Sequence, residues 1–317
     1  MRRAWIRFAL RRTVVLVASL ATLVVATFLI THLVPGDPAR AGLGPTAKAS
    51  QVEARRAALH LDEPLPAQLR SYAGGVFTGD LGNSFATGQP VVEFVRDRFP
   101  ATLRLALATF VVTLLLGLPL GMAMAVLGRG GRHRAAQGAF SFTTGLMISV
   151  PDYLIATGLV ALFGVALGWL PIAGDEGWTS YILPVAAFSA LSVGMLARMA
   201  RVEMAGVLDE EYMRVARGKR IPDRALYLRH ALPNALTATL TFSGLILGGC
   251  LAGTVVIENV FAWPGLGSAV VQAIQDKDYP LVQAIVLLLG GIVLVVNLAI
   301  DVLLGILDPR VLTREEE

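Results

Sequence analysis

Cysteine is nearly absent from this chain, with Cys250 the single one in 317 residues. That excludes a disulfide scaffold and any zinc or iron–sulfur site built on cysteines. Histidine is scarce too: His32, His60, His133 and His230 are dispersed, no two at a ligand spacing. Charge is the third scarcity. Asp, Glu, Lys and Arg make up 16% of the residues, against roughly 25% in a soluble domain. No G-x-x-x-x-G-K-[ST] segment occurs, so the loop that cradles nucleotide phosphates is missing. No H-E-x-x-H or Ser/His/Asp arrangement is legible either. Hydrophobic residues, by contrast, reach 55%, and mean hydropathy is +0.65. A disordered chain, a nucleic-acid-binding domain and an ordinary soluble enzyme are thereby excluded. A polytopic membrane protein remains.

About 20 apolar residues cross the hydrocarbon core as a helix. Residues 13–36, 105–128, 177–197, 231–257 and 279–300 contain no Asp, Glu, Lys or Arg. Residues 135–174 contain only Asp152, but as one straight helix they would span about 60 Å. Pro151 and scattered glycines point to a break there. The block is one long span with a re-entrant outer end, or two short ones; read as one, it makes six spans. The first span exceeds the roughly 7–15 apolar residues of a signal peptide and is expected to stay as an anchor.

Lys and Arg in the short loops set the orientation. Arg2, Arg3, Arg7, Arg11 and Arg12 precede the first span, and Arg129, Arg132 and Arg134 separate the second from the third. Eight basic residues lie between Arg198 and Arg229, whereas residues 169–180 have none and residues 263–278 only Lys277. Both termini are therefore expected in the cytoplasm. The net charge of +4 and pI near 9.5 read as orientation, not as a polyanion site. Residues 37–99 form a long outer segment whose seven bases and seven acids cancel. It opens on a Pro35-Gly36-Asp37-Pro38 turn. A short helix over 47–61 ends at Pro64 and Pro66, and Asp80-Leu81-Gly82-Asn83-Ser84 is another turn. The segment is a cap over the spans or a docking surface for an external partner.

The most informative loop runs from Asp209 to Pro222, with acids first (Asp209, Glu210, Glu211) and bases last (Arg217, Lys219, Arg220). That order suits a helix macrodipole, and Pro222 stops the helix. Such a surface helix between two spans is either a rigid lever or a solvated basic loop that serves only topology. Within the spans, Asp152 is the one acid well inside an apolar block. It faces a cavity or partner, since a mid-membrane charge costs roughly 2.5–3.5 kcal/mol, or it is hydrated near the outer interface. Glu258 and Asn259 end the fifth span before a Trp263-Pro264-Gly265 turn, where they either secure that outer end or bind cargo. Asn297 and Asp301 share a face of the sixth span, suited to interhelical hydrogen bonds. Asp308-Pro309-Arg310 stops that helix. Gly244, Gly248, Gly249 and Gly253 suggest close helix packing, and Cys250 is a small buried apolar residue.

Residues 211–236, EYMRVARGKRIPDRALYLRHALPNAL, resemble the cytoplasmic signature loop of the dipeptide/oligopeptide/nickel branch of bacterial ABC-importer permeases. Further motifs follow in the family's order: VPGDPA, DLGNSF, SVPDY, LGWLPIAG, VIENVFAWPGLG, DKDYPLVQA and NLAIDVLLGILDPRV. The resemblance covers nearly the whole chain. It implies a type I importer permease of the first subunit type: all-α, six transmembrane helices, both termini cytoplasmic, in the bacterial inner membrane. Its parts would be a tail and first helix at 1–36, an outer segment at 37–99, a permease core at 100–308 and a tail at 309–317. An ATPase-coupling loop at 202–232 would dock through Glu211, Tyr212, Arg214, Ala216, Arg217, Gly218, Lys219 and Arg220. The implied partners are a second homologous permease, two ATP-binding subunits, an external solute-binding protein and membrane lipid, with no nucleic acid. No cofactor or metal is expected on this chain, ATP and Mg being held by the ATPases, and no catalysis by the chain itself. Short peptides are the implied cargo, with nickel, glutathione or another small solute as alternatives; the dispersed histidines lend nickel no support. One departure stands out, because the family usually has Ala at 218 and Gly at 220. Here Gly218 and Arg220 predict either a bend at Gly218 or an added ATPase contact by Arg220. Two other classes compete: an autonomous secondary transporter with Asp152 as ion relay, and an intramembrane enzyme, which would need paired catalytic groups.

Overall fold

The computed structural model describes residues 2–33, 38–41, 43, 47–58, 61–131 and 133–307. Residues 34–37 of the first turn, His60, Arg132, the Asp308-Pro309-Arg310 stop and the 309–317 tail lie outside the described residues. Apart from one isolated bridge between Asn83 and Pro90, the regular structure among the described residues is helical.

The long helices are α1 (Arg2–Leu33), α4 (Val91–Leu127), α7 (Ile182–Asp209), α9 (Leu232–Val260) and α11 (Tyr279–Leu307). Each contains a window long and apolar enough to cross a bilayer. The third apolar block is α5 (Arg134–Ser149) followed by α6 (Asp152–Leu159) and π-helical turns over Val160–Ala166. The two arms meet at 99°. Pro151 causes this, since it cannot donate a helical hydrogen bond and pushes Val150 into an extended conformation at ψ 123°. The block is thus a bent pair whose break falls at Pro151. Shorter helices are α2 (Ala49–Ala58), α3 (Leu65–Thr78), α8 (Glu211–Gly218) and α10 (Leu266–Gln275).

Two sequence expectations need correction. Pro64 and Pro66 do not end a helix; they open α3, where a missing N–H costs nothing in the first turn. The second span does not begin near residue 105 but grows out of a helix that starts at Val91. Glu93, Arg96, Asp97 and Arg98 obscure that start. Buried Val91 and Val95 nevertheless pack with Leu266, Leu281 and Ile285, and this tertiary burial carries the helix through a polar stretch.

Core packing depends on small residues. The most extensive helix pair is α4 with α7. A Cβ on Gly121 would lie 2.2 Å from the Ala197 carbonyl oxygen, so only glycine lets the two backbones approach. Gly244 abuts Ile300 and Gly248 abuts Asn297, setting α9 antiparallel to α11. Gly253 faces Phe188, but Gly249 faces open space and is not a packing glycine. Arg12 pairs with Asp301 at 3.1 Å, bringing the start of α1 to the end of α11. The result is a bundle with two distinct ends. One carries Arg12, Arg129, Arg134 and α8, and the other carries α10 and the loops after α3 and α6.

Candidate functional site

At the arginine-rich end, α8 lies across the ends of three spans. Its sequence places Met213 and Ala216 one turn apart, hence on one face, and both are buried. They sit in a cluster with Met122 and Ala125 of α4, Met204 and Leu208 of α7, and Leu226, Ala231 and Ala235 leading into α9. The opposite face, Glu211, Tyr212, Arg214, Val215, Gly218, Lys219 and Arg220, is exposed. Arg217 lies between the two, half-buried, its guanidinium donating to the Leu208 carbonyl. Ala216 therefore belongs to the underside of the helix, not to its outward surface.

The departure at 218 and 220 has a definite geometry. Gly218 is the last helical residue of α8 and has no positive φ, so the bend is not there. Arg220 makes it, at φ 55°. Its N–H reaches the Arg217 carbonyl at 2.8 Å, and the Ile221 N–H reaches that of Ala216 at 3.5 Å. This is a left-handed helix end of the kind glycine usually supplies. An L side chain there costs roughly 1–2 kcal/mol. Arg220→Gly is accordingly expected to stabilise the turn by about 1 kcal/mol, read as slower hydrogen exchange at the Lys219 and Ile221 amides. Unchanged or faster exchange would show that the arginine carries no backbone strain.

At the opposite end two buried carboxyl groups tie distant segments together. Glu258 is fully buried. It accepts from the Thr102 hydroxyl of α4 at 2.8 Å and from the Ser268 N–H at 3.0 Å. Thr102 in turn accepts from the Leu266 N–H at 2.8 Å. Two of the orphan donors at the start of α10 are thus satisfied from other helices. Gly265 and Gly267 leave the room, for a Cβ on either would lie within 3.0 Å of the Glu258 carboxyl oxygen. Trp263, before Pro264, is buried too and donates from its indole to the Ala101 carbonyl at 3.1 Å.

Asp278 is the second group and was not singled out from the sequence. It accepts from the Ser84 hydroxyl, from the Phe85 N–H at 3.0 Å and from the Ala86 N–H at 3.3 Å. The DLGNSF and DKDYP motifs therefore meet, although nothing in local spacing connects them. Tyr72 of α3 donates to Thr27 of α1 at 3.1 Å, and burial pushes its phenol pKa up.

The remaining expected residues stand apart. Asp152 is half-buried in the first turn of α6, accepting from the N–H of Tyr153 at 2.8 Å. Asn297 and Asp301 share a face of α11, the first over Gly248 and the second on Arg12. Among the described residues no group of three or more His, Cys, Asp or Glu side chains is placed to hold a metal ion.

Apolar spans clamped at one end and bearing an amphipathic crossing helix at the other define a polytopic helical membrane protein. The sequence agrees. Residues 117–313 match the family described as binding-protein-dependent transport system inner membrane component, and residues 5–106 match its N-terminal companion. The chain belongs to this family of inner-membrane transport proteins. It is similar to the glutathione transport system permease protein GsiC of Salmonella typhi, 38% identical over 306 residues, covering 96% of this chain and 99% of that protein. A Brucella abortus (strain 2308) protein, provisionally named a peptide transport system permease, is 39% identical over 316 residues, covering 95% and 98%. Among solved structures, the inward-facing MetNI methionine ABC transporter shares the fold at TM-score 0.55 and 16% identity, covering 68% of this chain and 96% of that one.

Proposed function

We propose that this chain is the permease subunit of an ATP-driven importer of short peptides, with its arginine-rich end in the cytoplasm. The carrying observation is α8: its underside packs in one cluster with residues of three spans, while Glu211, Arg214, Val215, Gly218, Lys219 and Arg220 stay exposed. Such a helix suits a groove on a separate ATPase, which would hold ATP and Mg. This chain would then catalyse nothing itself and bind no cofactor. Sidedness is supported by the basic residues gathered at one end, as positive-inside loops require. The working units would be a tail and first helix at 1–36, an outer segment at 37–99 and a permease core at 100–308 with the coupling loop at 202–232. A second homologous permease would complete the path, and an external solute-binding protein would deliver cargo at the end carrying α10 and the 82–90 loop. Asp152 is the ionisable candidate for the path wall. For cargo, the names of the relatives point to peptides and to glutathione, itself a tripeptide.

The test is purification of tagged chain from membranes, followed by reconstitution. A second permease and ATPase subunits should accompany it, and uptake of labelled glutathione or a tripeptide should require ATP and the external binding protein. Uptake by the chain alone in vesicles, without ATP, would favour an autonomous secondary transporter instead.

A further inference from the structure

The covalent route from α8 to α9 is irregular. It runs through the left-handed residue Arg220, a single turn at Asp223–Ala225 and π-helical turns over Leu226–Ala231. The i to i+5 pattern is rare and interrupts the α-helical ladder, mostly as single-turn bulges. Pro233, at the start of α9, has no N–H with which to bond back.

A polar contact bypasses that segment. The Asn234 side-chain amide in the first turn of α9 donates to the His230 carbonyl at 2.8 Å and to the Tyr212 hydroxyl oxygen at 3.0 Å. The Tyr212 hydroxyl itself lies 3.5 Å from the same carbonyl. An amide NH2 has two hydrogens, and here each has a partner, one within the π-turn and one on α8. The apolar underside of α8 packs Met213 and Ala216 in one cluster with Ala231 and Ala235, a contact that is non-directional. Hydrogen bonds weaken steeply with misalignment, so the Tyr212–Asn234 pair sets the register between the two helices.

We infer that Asn234, through the Tyr212 hydroxyl, is the positioning contact that carries displacement of α8 into α9. The inference rests on the docking of α8 to an ATPase proposed above. It assigns Asn234 a role that the loop's sequence did not suggest, and it gives Tyr212 an inward task besides any outward one.

The experiment uses the assembled importer, with Cys250→Ser removing the native thiol and spin labels at Val215 on α8 and Leu245 on α9, both exposed in this chain. A photo-crosslinker at Val215 in a parallel sample reports whether α8 meets the ATPase. In the parent, adding a non-hydrolysable ATP analogue should leave one narrow distance distribution, because the two helices move together. With Tyr212→Phe or Asn234→Leu the distribution should shift or split on adding the analogue, and the double variant should go no further than either single one. Asn234→Asp, which can accept from Tyr212 but not donate to His230, should restore the narrow distribution. Tyr212→Phe removes a single oxygen, so it carries the test if Asn234→Leu does not insert. Narrow distributions in both single variants, with cross-linking intact, would overturn the linkage alone. Absence of cross-linking in the parent would overturn the docking reading instead.

Discussion

Glu258→Ala is expected to destabilise the chain by about 2–5 kcal/mol, since the Thr102 hydroxyl and the Ser268 N–H each lose a buried acceptor. The substitution also empties space that Gly265 and Gly267 exist to leave open. Glu258→Gln keeps the shape and one acceptor oxygen but turns an NH2 toward a donor, so a smaller loss of about 1–2 kcal/mol follows. Gly267→Ala should be at least as damaging as Glu258→Ala. Its Cβ would lie 2.6 Å from the Val255 Cα, a backbone atom that cannot swing away. Thermal unfolding of detergent-solubilised chain, with the amount recovered from membranes, measures all three. Near-parental unfolding of Glu258→Ala would mean that α10 is held by its apolar contacts and not by the carboxyl.

Gly218→Trp is expected to lower ATP-driven uptake by more than about 10-fold, equivalent to roughly 1.4 kcal/mol lost at the docking joint. Gly218 lies on the outward side of α8, and a Cβ there would meet nothing within 4 Å. The bulk therefore falls on whatever seats against the helix. Ala216→Trp makes the useful contrast. Ala216 is buried against the span ends, so that variant should lower the stability of the isolated chain, which Gly218→Trp should leave unaltered. Measuring uptake and unfolding for both variants separates a damaged joint from a damaged fold. Normal uptake by Gly218→Trp would remove α8 from the coupling path.

Much of this architecture is legible in the sequence because a bilayer imposes its thickness on the chain. Five uncharged blocks and one block with a single acid correspond to five spanning helices and one bent pair. The short crossing helix is equally legible from the order of its acids and bases, but Arg220 ends it, and Pro222 opens the next turn instead of stopping α8. Local rules failed where distant burial prevailed. Val91 and Val95 continue a helix through charged neighbours because Leu266 and Ile285 cover them. Pro64 reads as a stop or as a start until its partners are known. The backbone cost of Arg220 is invisible without a φ angle, although the departure from the family's glycine marks the position. Glu258 is conspicuous as an acid at the end of an apolar run. Asp278 is not, because it sits among Asp276 and Lys277 in a stretch that looks hydrated.

That last pairing has a bearing on how the protein is made. Ser84 and Asp278 are 194 residues apart, and Thr102 and Glu258 are 156 apart. A ribosome adds roughly 5–20 residues per second. The 82–90 loop therefore waits on the order of 10–40 s before its clasp is even synthesised. During that interval the loop's N–H groups and the Thr102 hydroxyl stay hydrated, and the end of the bundle opposite α8 stays unsealed. Closure of that end is thus a late event in biogenesis, timed by arrival of the last two spans.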